Sequence, residues 1–473
     1  MIFLMDHPSR EAALLYGSLK KAGYSFRAVA FEDDGFLPEG VESPYRELCG
    51  RKREETAVPR YFSRLQVPDG WEIRSTGTEG NIWDYDTKRA QLVYAHPASR
   101  RFLQTVNWLD SAGKNIWQDH YDDSGELYAR TTCDAEGRPV LKTFYAASGE
   151  ECIVENLQNH TMLLREQKED GTLTSRLFPG KVELVLYYLE KTKADCGRIF
   201  FNSLSYPLFA QRKLRMEKRT RHPEKNDLAE VPFGGDVLFW QEEIGERLPG
   251  NMVTVLNDPQ GVNGIAVQSL GVYEKIQAQI REHAAENGIV NAEQAAKIIA
   301  PVGQIYSFSG TVKKEKTICI LTNSDAVEHL AELADALPEF VFHIGALTEM
   351  SAKLMAMQKK PNVRLYPGMS EKLGEKLLEE NEFYLDINHG NEILDAAWNA
   401  YLRRMVIFTF RETAHERAYA AEENILPSAC WAQMAEQIRR AAEHSQEKDR
   451  LLYRQDVRAM RRNAEDYRRL LGG

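Results

Sequence analysis

The chain has 473 residues, 43% apolar and 27% charged, and is too long for one ordinary hydrophobic core, so two or three domains are expected. Its 60 basic and 70 acidic residues give a formal charge of −10, which argues against a nucleic-acid coat or an anionic membrane surface as the partner of the whole molecule. No apolar run reaches the roughly 20 residues that span a bilayer, and the six cysteines form no CxxC pair, which points to reduced thiols in a cytoplasmic protein.

The opening Met-Ile-Phe-Leu-Met has no basic leader and meets Asp6 at once, so it reads as a first strand rather than a signal peptide. Ser9 then caps a helix running to Lys21, with Ala12, Leu15, Tyr16 and Leu19 on its buried face. Gly23 ends it, and a strand follows over Phe26–Phe31. The character changes further on. Glycines fall at 113, 125, 137 and 149, a period of 12, three of them closing Asp-x-x-Gly from Asp110, Asp122 and Asp134. Asp opens a type I turn by bonding its own backbone, and Gly supplies the left-handed residue after it. The residues between alternate and are rich in Trp, Tyr, Thr, Val and Phe, which predicts an antiparallel meander over about 65–178 with a further turn at Asp170-Gly171.

The α/β rhythm then returns. A helix is expected over Val182–Lys193, a strand over Arg198–Asn202, a basic loop over Arg212–Lys225, strands over Asp236–Trp240 and Gly264–Gln268, and a helix over Val272–Glu286. The meander, 43–178, is thus an insertion into a first Rossmann-like domain built from 1–42 and 179–312. A second Rossmann-like domain, 313–427, has strands at Thr317–Leu321, Phe340–Ile344, Val363–Tyr366, Phe383–Ile387 and Met405–Phe408. Helices intervene at about 325–337, 351–358, 370–380 and 391–403. The last segment, 428–473, is helical and arginine-rich, either a solvated face or a surface for a partner or a membrane.

Three groups of residues bear on chemistry. The stretch FYLDINHGNEILDAAWNAY, Phe383–Tyr401, reads as a buried strand, a His-Gly turn and a helix entering from Asn391. Retaining sugar transferases with two Rossmann domains place two glutamates here, eight positions apart. With Gly390 as anchor those positions are His389 and Ala397, and neither is a carboxylate. Such enzymes also set an Arg and a Lys after the first strand of this domain, whereas residues 317–337 hold neither and carry four carboxylates. One lost transition-state charge partner costs about 3–4 kcal/mol, so no catalytic residue is assigned. Glu392 and Asp395 are nearby acids a catalytic reading could use, and Glu392 also suits a first-turn acid at a helix dipole. His389 caps the turn, packs as a neutral ring, or touches a ligand. Second, Trp108, Trp117, Tyr121 and Tyr128 are candidate acceptor-binding rings of the meander, where Trp117 and Tyr121 share strand parity; covering the sheet's own core is the competing role. Third, Gln241 and Glu242 at the carboxyl end of a buried strand join His389, Gly390 and Asn391 as candidate cleft-rim residues. No metal cluster and no cofactor motif such as GxGxxG or a Walker loop is found.

The segments FGGDVLFWQE, LPGNM, ALTEMSAKL and FYLDINHGNEIL closely resemble the glycosyltransferase-stabilizing subunit of bacterial accessory Sec systems, along nearly the whole chain. The resemblance implies a GT-B arrangement of two Rossmann-like folds with a β-rich insertion and no independent catalysis. It implies a catalytic partner of similar fold in a complex with two copies of each subunit, which attaches N-acetylglucosamine to Ser/Thr of serine-rich repeat adhesins before export. Binding of that acceptor and a cytoplasmic location, peripheral at the membrane, are implied too. The stretch Arg212–Asp227 is longer and more basic than the family pattern. An active transferase on protein or teichoic polymer, and a pure assembly scaffold, are the competing readings.

Overall fold

The computed structural model describes residues 1–52, 56–76, 79–167, 172–221, 233–258, 261–310 and 312–472. They form two compact units: Met1–Val267 with Lys275–Ala300 and Arg469–Gly473, and Gln268–Glu274 with Pro301–Arg468.

In the first unit, β1 (Ile2–Met5) is wholly buried and leads into α1 (Arg10–Lys21). Ser9 Oγ accepts the Ala12 N–H at 3.0 Å, and Ala12, Leu15, Tyr16 and Leu19 face inward as their 3.6-residue period requires. β2 (Arg27–Ala30) pairs parallel to β1, β3 (Val41–Glu42) pairs parallel to β2, and α2 (Pro44–Leu48) follows. Ten antiparallel strands come next in sequential order: β4 (Trp71–Ser75), β5 (Gly80–Asp84), β6 (Thr87–Tyr94), β7 (Leu103–Leu109), β8 (Asn115–Tyr121), β9 (Leu127–Cys133), β10 (Pro139–Tyr145), β11 (Glu151–Asn156), β12 (Met162–Gln167) and β13 (Leu173–Phe178). The twelve-residue period has a simple cause. Seven strand residues alternate with five turn residues, so β7 to β10 start at 103, 115, 127 and 139. In each Asp turn the Asp Oδ1 accepts two backbone N–H groups, as Asp122 does from Ser124 and Glu126, and Gly113, Gly125, Gly137 and Gly149 all sit at φ between +78° and +85°. The turn at Asp170-Gly171 lies outside the described residues.

After the meander come α3 (Lys181–Lys191), β14 (Ile199–Phe201), α4 (Tyr206–Arg221), β15 (Val237–Trp240), α5 (Gly250–Asn257), β16 (Gly264–Val267), α6 (Leu270–Glu282), α7 (Ala292–Lys297) and β17 (Ile299–Pro301). The seven-stranded sheet has the order β17-β16-β15-β14-β1-β2-β3. One expectation fails here: the stretch from Arg212 is helical as far as Arg221, not a loop, while 222–232 lie outside the described residues. The helix is fixed from within. Buried Asp236 accepts from Gln211 Nε2 at 2.7 Å and from Arg215 Nε at 2.6 Å, so one of its basic residues is an internal anchor.

The second unit holds β18 (Lys314–Leu321), α8 (Leu330–Ala336), β19 (Val341–Gly345), α9 (Ala352–Met355), β20 (Val363–Tyr366), α10 (Glu371–Glu380), β21 (Asn381–Asp386), α11 (Ala396–Leu402), β22 (Val406–Phe410) and β23 (Ile425–Leu426). The strand order is β20-β19-β18-β21-β22-β23, all parallel. The C-terminal segment is not separate. α12 (Trp431–Glu443) and α13 (Ser445–Arg458) bury Met434, Ile438 and Leu451 in the same core as Phe383 and Phe408. Several of its arginines are held in ion pairs, Arg439 with Glu339 and Arg450 with Glu423 among them. The chain closes with α14 (Ala464–Leu471).

Candidate functional site

The carboxyl edge of the second sheet is closed by its own loops. β21 is buried along its length and carries the chain to Asn388, whose Oδ1 accepts the Gly390 N–H at 2.7 Å. A Cβ on Gly390 would stand 2.8 Å from the Ser324 Cβ, so glycine is what lets the loop after β18 approach. That loop runs antiparallel to the turn: the Glu328 N–H donates to Ile387 O at 2.8 Å and the His389 N–H to Ala326 O at 2.9 Å. In a doubly wound sheet this is ground where a helix N-terminus meets an anion. Here backbone takes it, and the helix expected from 325 begins only at Leu330, behind His329 at φ +51° with no side-chain cap.

His389 is neither a cap nor an isolated ring: its Nε2 lies 2.7 Å from Glu328 Oε2. Ala397 is 1% exposed on α11. The helix expected from Asn391 also starts late, at Ala396, because Leu394 and Asp395 adopt left-handed φ of +58° and +42°. Asn391 is exposed. Glu392 is therefore not a first-turn acid. Its Oε1 reaches forward to accept the Ala397 N–H at 2.7 Å, and burial pushes its carboxyl up to about 7.

The meander separates its four candidate rings. Trp108 and Trp117 stand opposite each other on β7 and β8, their centroids 5.9 Å apart. Buried Asp119 accepts from Trp108 Nε1 at 2.9 Å and from Arg130 Nε at 2.6 Å, and the Arg130 guanidinium lies 5.4 Å over the Trp117 ring. Tyr121 packs in the apolar cluster around Val106 and Trp108 but is only 5% exposed, with Arg60 5.0 Å over its ring. Tyr128 belongs to the core, not to a binding face. A register shift after His120 pairs Tyr121 with Leu127 and sends Tyr128 to the side of Ala129, where it packs with Tyr45 and Phe144 and donates to Asp33 O at 2.8 Å.

In the first unit Gln241 directly follows β15. Its Nε2 donates to Glu11 O at 2.8 Å and its Oε1 accepts from Asn202 Nδ2 at 3.2 Å, so it ties three elements together; Glu242 is exposed. Among the described residues no group of three or more His, Cys, Asp or Glu could hold a metal, and no helix is long and apolar enough to cross a membrane.

Comparison with known proteins gives four family matches in chain order: the GtfB N-terminal domain over residues 2–46, the GtfB middle domain over 71–173, the GtfB third domain over 181–223 and 224–279, and the GftB/GlyA-F C-terminal domain over 318–455. A Streptococcus agalactiae protein named UDP-N-acetylglucosamine--peptide N-acetylglucosaminyltransferase stabilizing protein GtfB is 33% identical over 474 residues, covering 100% of this chain and 99% of its own. The chain belongs to the GtfB family. The Streptococcus parasanguinis protein of the same name is 35% identical over 426 residues, 90% of this chain and 89% of its own. A chain in a crystal structure of a GtfA/B complex bound to UDP and GlcNAc superposes with a TM-score of 0.87 at 32% identity, over 100% of this chain and 99% of that one. The GT-B-like fold of two Rossmann-like sheets follows from that likeness.

Within this GtfB-family chain, two polar groupings were not read from sequence. Buried Asp386 accepts from His415 Nδ1 at 2.5 Å and from its backbone N–H at 2.7 Å, while His415 Nε2 donates to Gly390 O at 2.7 Å. With acceptors on both ring nitrogens the imidazole is doubly protonated, and the Asp386 hydrogen bond raises its pKa to about 9. Nothing local marks a partner 29 residues away. The Asp119–Arg130 pair depends on the register shift after His120; the turn at 122–125 alone would set Asp119 opposite Ala129.

Proposed function

We propose that this chain is the non-catalytic subunit of a two-component UDP-GlcNAc:polypeptide N-acetylglucosaminyltransferase, and that it stabilizes a catalytic subunit of similar fold. The observation that carries this is the carboxyl edge of β18 and β21. It is filled by the loop before α8, presents His389 and Ala397 where an enzyme of this kind needs carboxylates, and has no Arg or Lys across 317–337 to receive a nucleoside diphosphate. At about 3–4 kcal/mol for each lost transition-state partner, useful turnover is gone. The names of the relatives support the same role.

The finer reading is that the chain also holds the Ser/Thr-rich acceptor, a serine-rich repeat adhesin modified before export through the accessory Sec route. The half-buried Trp108 and Trp117 with Arg130 across Trp117 support it, since an amphipathic platform of that kind stacks on extended peptide or sugar. Tyr121 backs the platform from within. The working complex has two copies of each subunit, needs no cofactor from this chain, and sits in the cytoplasm against the inner face of the membrane.

The test is an assay of the purified chain with UDP-N-acetylglucosamine and a Ser-rich peptide, with and without the catalytic subunit. Transfer is expected only when both are present. Transfer by the chain alone that Glu392→Ala abolishes without unfolding would establish the catalytic reading instead.

A further inference from the structure

A cavity of about 620 Å³ opens in the first unit between the end of α2, the β8–β9 turn and the β10–β11 turn. That volume is in the range of small-molecule sites. In a chain whose net charge is −10, its wall carries Arg46, Arg51, Lys52 and Arg130 against Asp122 and Glu126.

Most of these groups are already committed. Arg46 is held by Asp33 at 2.8 Å and by Asp123 at 3.0 Å behind the wall. Arg51 donates to the Tyr145 and Ala146 carbonyls and lies 3.6 Å from Asp122, whose other oxygen closes its own turn. Glu126 is exposed and free to face water. Two cationic ends remain. Arg130 spends Nε on Asp119, and neither of its Nη groups has a hydrogen bond among the described residues. Lys52 is exposed and has no ion-pair partner among them.

We propose that this cavity is a binding site for a phosphate ester, with Arg130 and Lys52 as the ligand's charge partners. A phosphate monoester carries a charge of about −1.5 to −2, which two cationic ends neutralise, and guanidinium forks match its oxygens. The space beyond one phosphate, walled by Tyr145, suits an organic group on the ester. The site shares Arg130 with the acceptor platform proposed above and adds Lys52, which that platform does not use.

The experiment is calorimetric titration of the full chain with inorganic phosphate, with UMP and with a tetraglutamate peptide, at constant ionic strength against chloride. Saturable binding of UMP, tighter than inorganic phosphate, is expected. Loss of one charge-assisted contact in Lys52→Gln or Arg130→Gln should weaken it by about tenfold. Lys52 is exposed, so its variant keeps the test sound even if Arg130→Gln disturbs Asp119. Saturation by the peptide alone, no saturation by any probe, or UMP binding unchanged in Lys52→Gln would each overturn the assignment.

Discussion

The open part of the meander and the carboxyl edge of the second sheet hold similar stocks of polar side chains and use them in opposite ways. On β8 and β9, Asp119 is buried behind Trp108 and Arg130, and the tryptophan rings and the arginine fork are left half-open to solvent. At the end of β21 the polar groups turn inward. Asn388 and Glu392 bond backbone N–H groups, His415 bonds Gly390 O, and His389 meets Glu328. One surface leaves its rings and arginine fork facing solvent, whereas the other spends its donors on its own turn. On the function proposed above, recognition and chemistry would draw on different strands.

The comparison breaks first at the turns that build the open surface. Gly125→Ala sets a Cβ 2.8 Å from Val58 O at φ +78°, while Gly113→Ala, at φ +80°, meets nothing within 4 Å. The first should cost about 3 kcal/mol and the second about 1 kcal/mol, seen as unequal losses in urea midpoint. Equal losses would mean the approach to Val58 relaxes freely.

Next comes recognition itself. Trp117→Ala should weaken binding of a Ser-rich acceptor peptide by about 2 kcal/mol with little change in thermal midpoint, because Asp119 keeps both its partners. Unaltered affinity in a fluorescence-polarisation titration would remove Trp117 from the acceptor surface.

The sealed edge is sharpened by pH. The folded pKa of His415, about 9, is above its ordinary 6.5, so its contribution is complete below pH 6.5 and fades as pH rises toward 9. His415→Gln should cost about 2 kcal/mol at pH 6 and far less at pH 9, by denaturant unfolding. A pH-independent loss would show that the ring acts by shape alone.

The smallest effect is at Glu392. Its folded pKa, about 7, is raised above 4.5, so it favours the folded state at low pH and that help declines as pH climbs through 7. Glu392→Gln keeps an oxygen for the Ala397 N–H and removes the buried charge, so at pH 8 stability should rise by less than about 1 kcal/mol. A drop at pH 8 would mean that attraction to the nearby His415 imidazolium outweighs the cost of burying the carboxylate.

How much was legible follows from how far each cause reaches along the chain. The meander turns are decided within four residues, Asp to Gly, and were readable, whereas the register shifts beside them were not. α1 was too, with its cap and its four inward residues. α4 was misread because its anchor, Asp236, lies beyond a run of Arg and Lys that resembles a solvated loop. The late starts of α8 and α11 depend on pairing between residues some sixty apart and on left-handed residues that no side-chain pattern announces. At the candidate site, the absence of carboxylates at 389 and 397 was visible as letters, but the groups that bond the turn there, Glu328 and His415, were not.

The twelve-residue module has a bearing on how the inserted sheet could have lengthened. Duplicating one module adds a single strand and reverses the chain's heading, so β13 would leave pointing away from α3. Duplicating two restores the heading and widens the sheet by two strands, with each turn and each side chain's face unchanged. Growth of this insertion in multiples of 24 residues is thus the route that leaves both Rossmann-like sheets undisturbed.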